Sequence, residues 1–204
     1  MVTPAVDDED VRFRTERLLV VRRWRPADLD AYAALNADPE VMAFLGPALT
    51  REQSDSLARY GEDWADRAGL GLLPVVRVAD GAMLGMCGLH RHRWYPDDVE
   101  IGWRLARPAW GHGYATEAAT GWLGEAFGPL GLLRVISMTH PENARSRAVM
   151  ERLGLRPRAE AVHETLDGRR VPIVVYERWA PGAGPVGGGP VGAGPCGADP
   201  GDAR

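Results

Sequence analysis

The clearest period in the chain runs from Val99 to Leu105. Val99, Ile101, Trp103 and Leu105 take one side, and Glu100, Gly102 and Arg104 take the other. A two-residue alternation puts successive side chains on opposite faces of a strand, so this strand presents an apolar row and a second face free for chemistry. From Gly113 the period changes. Ala115, Ala118, Ala119, Trp122, Leu123, Ala126 and Phe127 recur at helical spacing, which predicts an amphipathic helix. Before these two elements the pattern predicts a strand over residues 18–22 and a helix opened near Pro26 that carries Leu29, Tyr32, Ala33 and Leu35. It also predicts a helix over 51–67 with Leu57, Tyr60 and Trp64 on one side. Residues 72–79 and 82–89 flank Asp80 and Gly81, a pair suited to a tight hairpin turn. Residues 132–138 read as a buried strand, 144–153 as a helix ended by Gly154, and 171–179 as the last strand. Together they make one α/β domain around a mixed sheet.

Composition sets the limits of that domain. The chain has 204 residues, 45% hydrophobic and 25% charged, enough to bury one ordinary core. After Trp179 it turns to a near-regular alternation of glycine and proline with little to bury. The expected organisation is a flexible N-terminus over 1–13, a folded domain over 14–181, and a disordered tail over 182–204. A formal net charge of -4 supplies no basic field, which argues against nucleic acid as a partner. Arginines gather between Arg145 and Arg170, but Glu142, Glu151, Glu160 and Glu164 interleave with them, as on a solvated face. Two cysteines, Cys87 and Cys196, make neither a disulfide framework nor a zinc cluster. The acidic start lacks the order of a signal peptide, and no apolar run is long enough for a bilayer. The expectation is a cytoplasmic protein with no membrane partner.

Between the alternating strand and the secure helix lies RPAWGHGYATEA, residues 107–118. A strand, a glycine turn and a helix leave the first helical amides unpaired, with the positive end of the helix dipole behind them. Phosphate binds such a terminus. Gly111 and Gly113 lack a β-carbon, so oxygens can approach the amides of Trp110, His112, Tyr114 and Ala115. The plainer alternative is a turn in which the glycines only relieve strain. A dinucleotide-binding turn would need a third glycine where Thr116 stands, and the lysine of a P-loop is missing.

WGHGYATEA, followed by NARSRAVMERLGL from Asn143 to Leu155, resembles the two cofactor motifs of the GNAT acetyltransferase superfamily. TERLLVVRRW from Thr15 and NADPEVMAFLG from Asn36 are similar to its branch of ribosomal-protein N-terminal (alanine/serine) acetyltransferases. One departure is Pro108, where that family often has glutamine or arginine. The resemblance implies a mostly antiparallel central sheet flanked by helices, with a splayed strand pair that holds acetyl-coenzyme A. It implies that the backbone at Trp103 and Leu105 meets the pantetheine arm, that Asn143 bonds the arm or the cofactor end, and that Ser146 lies near the sulfur. Asn143 also suits a helix N-cap, and the two roles are compatible.

Acetyl transfer to an amine needs a base for the ammonium proton, an oxyanion donor and a proton for the departing thiolate. Glu100 is the candidate base, with Gly102 leaving space beside it. The alternative is a solvent-facing glutamate paired with Arg104 or Arg22. Ser146 is the candidate proton donor, and Tyr95, Tyr114 and Tyr176 are its substitutes. The amide near Trp103 or Leu105 is the oxyanion donor that the fold implies. His90 and His92 share a strand face without a third ligand, so no metal is expected. Trp94 and Tyr95 are candidates for the pocket wall. The acceptor is a primary amine on a protein N-terminus or a small molecule, and a homodimer stays open. Two other functions compete: a non-catalytic acyl-coenzyme A binding module, and an adaptor that works through the glycine and proline tail.

Overall fold

A computed structural model describes residues 8–21, 23–165 and 168–184 of the chain. Eight strands form one sheet in the order β1-β2-β3-β4-β5-β6-β8-β7. They are β1 (Val11–Arg14), β2 (Leu18–Val21), β3 (Gly71–Arg77), β4 (Met83–His92), β5 (Tyr95–Leu105), β6 (Arg134–Thr139), β7 (Arg156–Glu164) and β8 (Arg170–Trp179). Neighbours run antiparallel except β5 and β6, which pair in parallel. Five helices flank the sheet: α1 (Pro26–Ala37), α2 (Pro39–Met42), α3 (Arg51–Ala68), α4 (Tyr114–Phe127) and α5 (Ala144–Arg152). This is the mixed α/β architecture read from the sequence.

α4 packs its alanine stripe on the apolar row of β5. Ala118, Ala119 and Trp122 are fully buried there with Ile101 and Val99. Short side chains bring the helix close enough for Trp122 to fill the remaining gap. On the opposite face, α1 and α3 cover Met86, and the tilted rings of Trp24 and Tyr32 meet with centroids 4.1 Å apart. α3 is fixed at both ends. Thr50 and Gln53 form a reciprocal capping box, and Gly69 ends the helix in the left-handed region.

Three elements were not legible beforehand. β1 lies within the stretch expected to be flexible, and Phe13 anchors it edge-on to Trp122 at 5.6 Å. α2 is one turn long, below the length at which periodicity registers. β7 belongs to the arginine-rich stretch expected as a solvated face, and most of it is exposed, with Arg158 as the charged residue that turns inward. The Arg158 side chain is 17% exposed and reaches Asp98 at 2.7 Å, while Arg134 holds the other Asp98 oxygen. Two guanidiniums around one buried carboxylate let polar β7 residues pack. β5 also starts four residues before the expected strand, so Tyr95 is a strand residue. The tail expected to be disordered lies outside the described residues from position 185 onward.

Candidate active site

The parallel pairing of β5 and β6 places Glu100 opposite Ile136. In a regular ladder the next rung would join the Met138 amide to the Ile101 carbonyl. Both groups bond elsewhere. The Met138 amide donates to Glu100 Oε1 at 3.2 Å, and the Ile101 carbonyl accepts from the Ser137 hydroxyl at 2.9 Å. From this point the strands part. By strand alternation Trp103 and Leu105 turn their main-chain groups into the gap, and the Leu105 carbonyl already accepts from the Trp110 indole at 2.8 Å.

The same Glu100 is 8% exposed and lines the larger of two joined cavities. Its Oε2 lies 3.4 Å from His90 Nε2. Burial pushes the Glu100 carboxyl up to about 8, against the Met138 amide, which favours its anion. Burial pushes the His90 imidazole down to about 4. Both groups are thereby driven toward their neutral forms, so their contact at neutral pH is not an ion pair. Of the sequence alternatives, a solvent-facing carboxylate paired with Arg104 does not hold among the described residues. Arg104 bonds Asn36 instead, and Arg22 lies outside those residues. His90 was read only as a poor metal ligand. Its pairing opposite Glu100 follows from a β4–β5 register that no single-strand pattern reveals.

At the other end of β5, Gly111 and Gly113 adopt φ of 78° and 80° and turn the chain into α4. A β-carbon on Gly111 would meet nothing within 4 Å, so backbone conformation rather than crowding requires glycine there. Gly113 is the N-cap of α4 and provides no side-chain acceptor for the first helical amides. These open donors suit a diphosphate. The loop is braced from behind. Glu117 accepts from the Thr15 hydroxyl at 2.5 Å and from the Arg17 amide at 2.9 Å. Arg17 also reaches the His112 carbonyl at 3.0 Å and lies over the Tyr114 ring at 4.8 Å. Thr15, Arg17 and Glu117 were not singled out beforehand, because their tie joins segments 100 residues apart.

Trp103, Leu105, Trp110, Gly113, Asn143 and Ser146 line one groove, together with Gly111, Tyr114 and Ala115. The exposed ring of His112 stacks beside Tyr114 at 5.6 Å and is not part of the groove lining. Asn143 caps α5 by accepting from the Ser146 amide at 3.2 Å, and its Nδ2 donates to Thr139 at 2.9 Å. Ser146 lines both the groove and the larger cavity, as do Trp103 and Arg104. Of the three tyrosines considered, Tyr114 lines the groove, whereas Tyr176 is 4% exposed beside Arg147 and Tyr95 faces His163. Trp94 walls the larger cavity, and Tyr95 lies outside its lining.

The family profile described as an acetyltransferase (GNAT) domain matches residues 18–156. A Bacillus subtilis protein named as an uncharacterized N-acetyltransferase, YnaD, is 28% identical over 142 residues, covering 70% of this chain and 81% of that protein. The crystal structure of an acetyltransferase from Agrobacterium tumefaciens superposes with a TM-score of 0.70 at 28% identity, over 81% of this chain and 92% of that one. RimL, a ribosomal L7/L12 α-N-protein acetyltransferase solved in complex with coenzyme A, shares the fold with a TM-score of 0.66 at 15% identity. That alignment covers 81% of this chain and 96% of RimL. No described helix is long and apolar enough to cross a membrane.

Proposed function

This chain belongs to the GNAT acetyltransferase family, an enzyme family of acyl transfer to amines, and on that premise we propose that it is an acetyl-coenzyme A dependent N-acetyltransferase acting on a primary amine. The observation that carries the proposal is the junction itself. A buried glutamate and a serine hydroxyl face connected cavities where two strands part, one helix start away from a set of uncapped amides.

The Gly111 to Ala115 amides and the parted edge of β5 fit the phosphate and amide groups of the coenzyme. When bound, the coenzyme supplies an acetyl group activated as a thioester. Glu100 Oε2, facing the larger cavity, accepts a proton from the acceptor ammonium, so that the amine attacks as its neutral form. Main-chain amides of Trp103 and Leu105 offer hydrogen bonds to the carbonyl oxygen as charge gathers there. The Ser146 hydroxyl stands at the cavity junction as proton donor to the leaving sulfur. Attack is direct, with both substrates bound, and Cys87, fully buried in the core, is not placed to form a thioester intermediate. The acceptor amine belongs to a peptide terminus or to a small molecule.

Incubating the full chain with acetyl-coenzyme A and an amine panel, and following free thiol release, tests this. Thiol release that saturates with one amine class is the expected result. Coenzyme binding by calorimetry without thiol release from any amine would replace the enzyme with a binding module.

A further inference from the structure

Arg104 occupies an unusual place. It stands on the Glu100 face of β5, lines both cavities, and bonds Asn36 Oδ1 at 2.5 Å. Asn36 in turn donates to Ser54 at 2.8 Å, and both of these residues are fully buried. A neutral carboxamide held by a neutral hydroxyl thus fixes a guanidinium at the cavity floor. The Nε of Arg104 is buried without a hydrogen-bond partner, and no described carboxylate forms an ion pair with it. Buried charge is ordinarily matched by opposite charge. Around Asp98 this same protein does match it, twice over. At Arg104 no described residue supplies the countercharge.

The rest of the larger cavity leans the same way. Arg170, the first residue of β8, lines its rim, and Glu100 is the only carboxylate among its described lining residues. Phe44, Leu45 and Tyr60, all exposed large hydrophobic side chains, border it from the turn after α2 and from α3. Gly102 leaves the floor open between Glu100 and Arg104: a β-carbon there would come no nearer than 3.6 Å to any neighbour.

We infer that the acceptor is an amine that also carries a carboxylate and an apolar side chain, with Arg104 binding the carboxylate while the amine faces Glu100. This rests on the acetyltransferase function proposed above and narrows its substrate. The carboxylate can come from a free amino acid or from an acidic side chain near a peptide terminus. Either places an anion on a preoriented guanidinium, whose fork is suited to carboxylate oxygens.

The test compares kcat/KM, per fraction of neutral amine, for phenylalanine against phenylalaninamide, and for Asp-Phe-amide against Asn-Phe-amide. At least one acid is expected to exceed its neutral partner by about tenfold or more, and which pair shows the gap identifies the source of the carboxylate. In Arg104→Gln that gap closes through KM for the acid, while the neutral partner keeps its rate. Thiol release that ignores the carboxylate in both pairs overturns the inference and leaves the acetyltransferase intact. Equal loss on acid and neutral acceptors in Arg104→Gln also overturns it, because a structural role alone predicts that result. Should Arg104→Gln fail to fold, the wild-type acid and amide comparison decides. Absence of thiol release from every amine would remove the enzyme itself, an outcome visible before any comparison of acceptors.

Discussion

Replacing Glu100 with glutamine keeps the side-chain shape and removes its basicity. With the carboxyl raised to about 8 by burial, roughly a tenth of the free enzyme carries the ionised form at pH 7 and roughly nine-tenths at pH 9. A base must be ionised to accept a proton, so kcat/KM should rise about tenfold over that interval and then level off. His90, held down to about 4, stays neutral throughout and adds no second break. The acceptor for this assay is an amine that titrates above pH 10, so that it stays an ammonium throughout and its own ionisation lies outside the window. Stability shifts in the opposite direction. A carboxyl raised on folding favours the folded state below its unfolded value near 4.5, and that contribution is lost as pH climbs through about 8. Melting temperature is therefore recorded at each pH. Glu100→Gln should lower kcat/KM at the plateau by about a hundredfold or more and flatten the profile. A wild-type profile that levels off near pH 5, or a glutamine variant that keeps the rise, would refute Glu100 as the base.

Ser146→Ala should reduce kcat by about tenfold or more while calorimetric coenzyme affinity stays the same; unchanged kcat would shift the donor role to Tyr114. Arg17→Ala frees the back of the glycine loop from His112 and Glu117. It should raise the coenzyme Kd several-fold with little change in kcat at saturation, and equal Kd values would show that the loop holds its shape unaided. Asp98→Ala leaves Arg134 and Arg158 without their shared carboxylate. Urea unfolding should then show a loss of about 3 kcal/mol, and a loss below about 1 kcal/mol would mean that Glu177 and water compensate.

The strand from Val99 and the helix from Ala115 were legible because each buries one continuous stripe, and a stripe has a period. The glycine loop was legible because positive φ and a close anion both demand glycine. What the chain hid were pairings. Nothing local to Glu100 announces that His90 sits across from it, or that the Met138 amide abandons its ladder to bond it. Arg104 carries the same lesson. In sequence it is one of many arginines, and only three-dimensional packing shows that its neighbour is Asn36 and not an acid. β7 was missed for a related reason: most of its residues are exposed, so no apolar stripe marks it, and the inward pairing of Arg158 with Asp98 and Glu177 exists only in three dimensions.

Part of the larger cavity's wall comes from places that tolerate change. Phe44 and Leu45 lie on the turn after α2, Trp94 on the turn between β4 and β5, and Arg169 on the connection from β7 to β8. Glu100, its Met138 anchor and the parting of β5 from β6 belong instead to paired strands. Three surface turns can thus be exchanged without disturbing the rung that holds the base. A scaffold divided in this way keeps its reaction while its choice of amine drifts, and the swap of one such turn is the least disruptive route to a new acceptor.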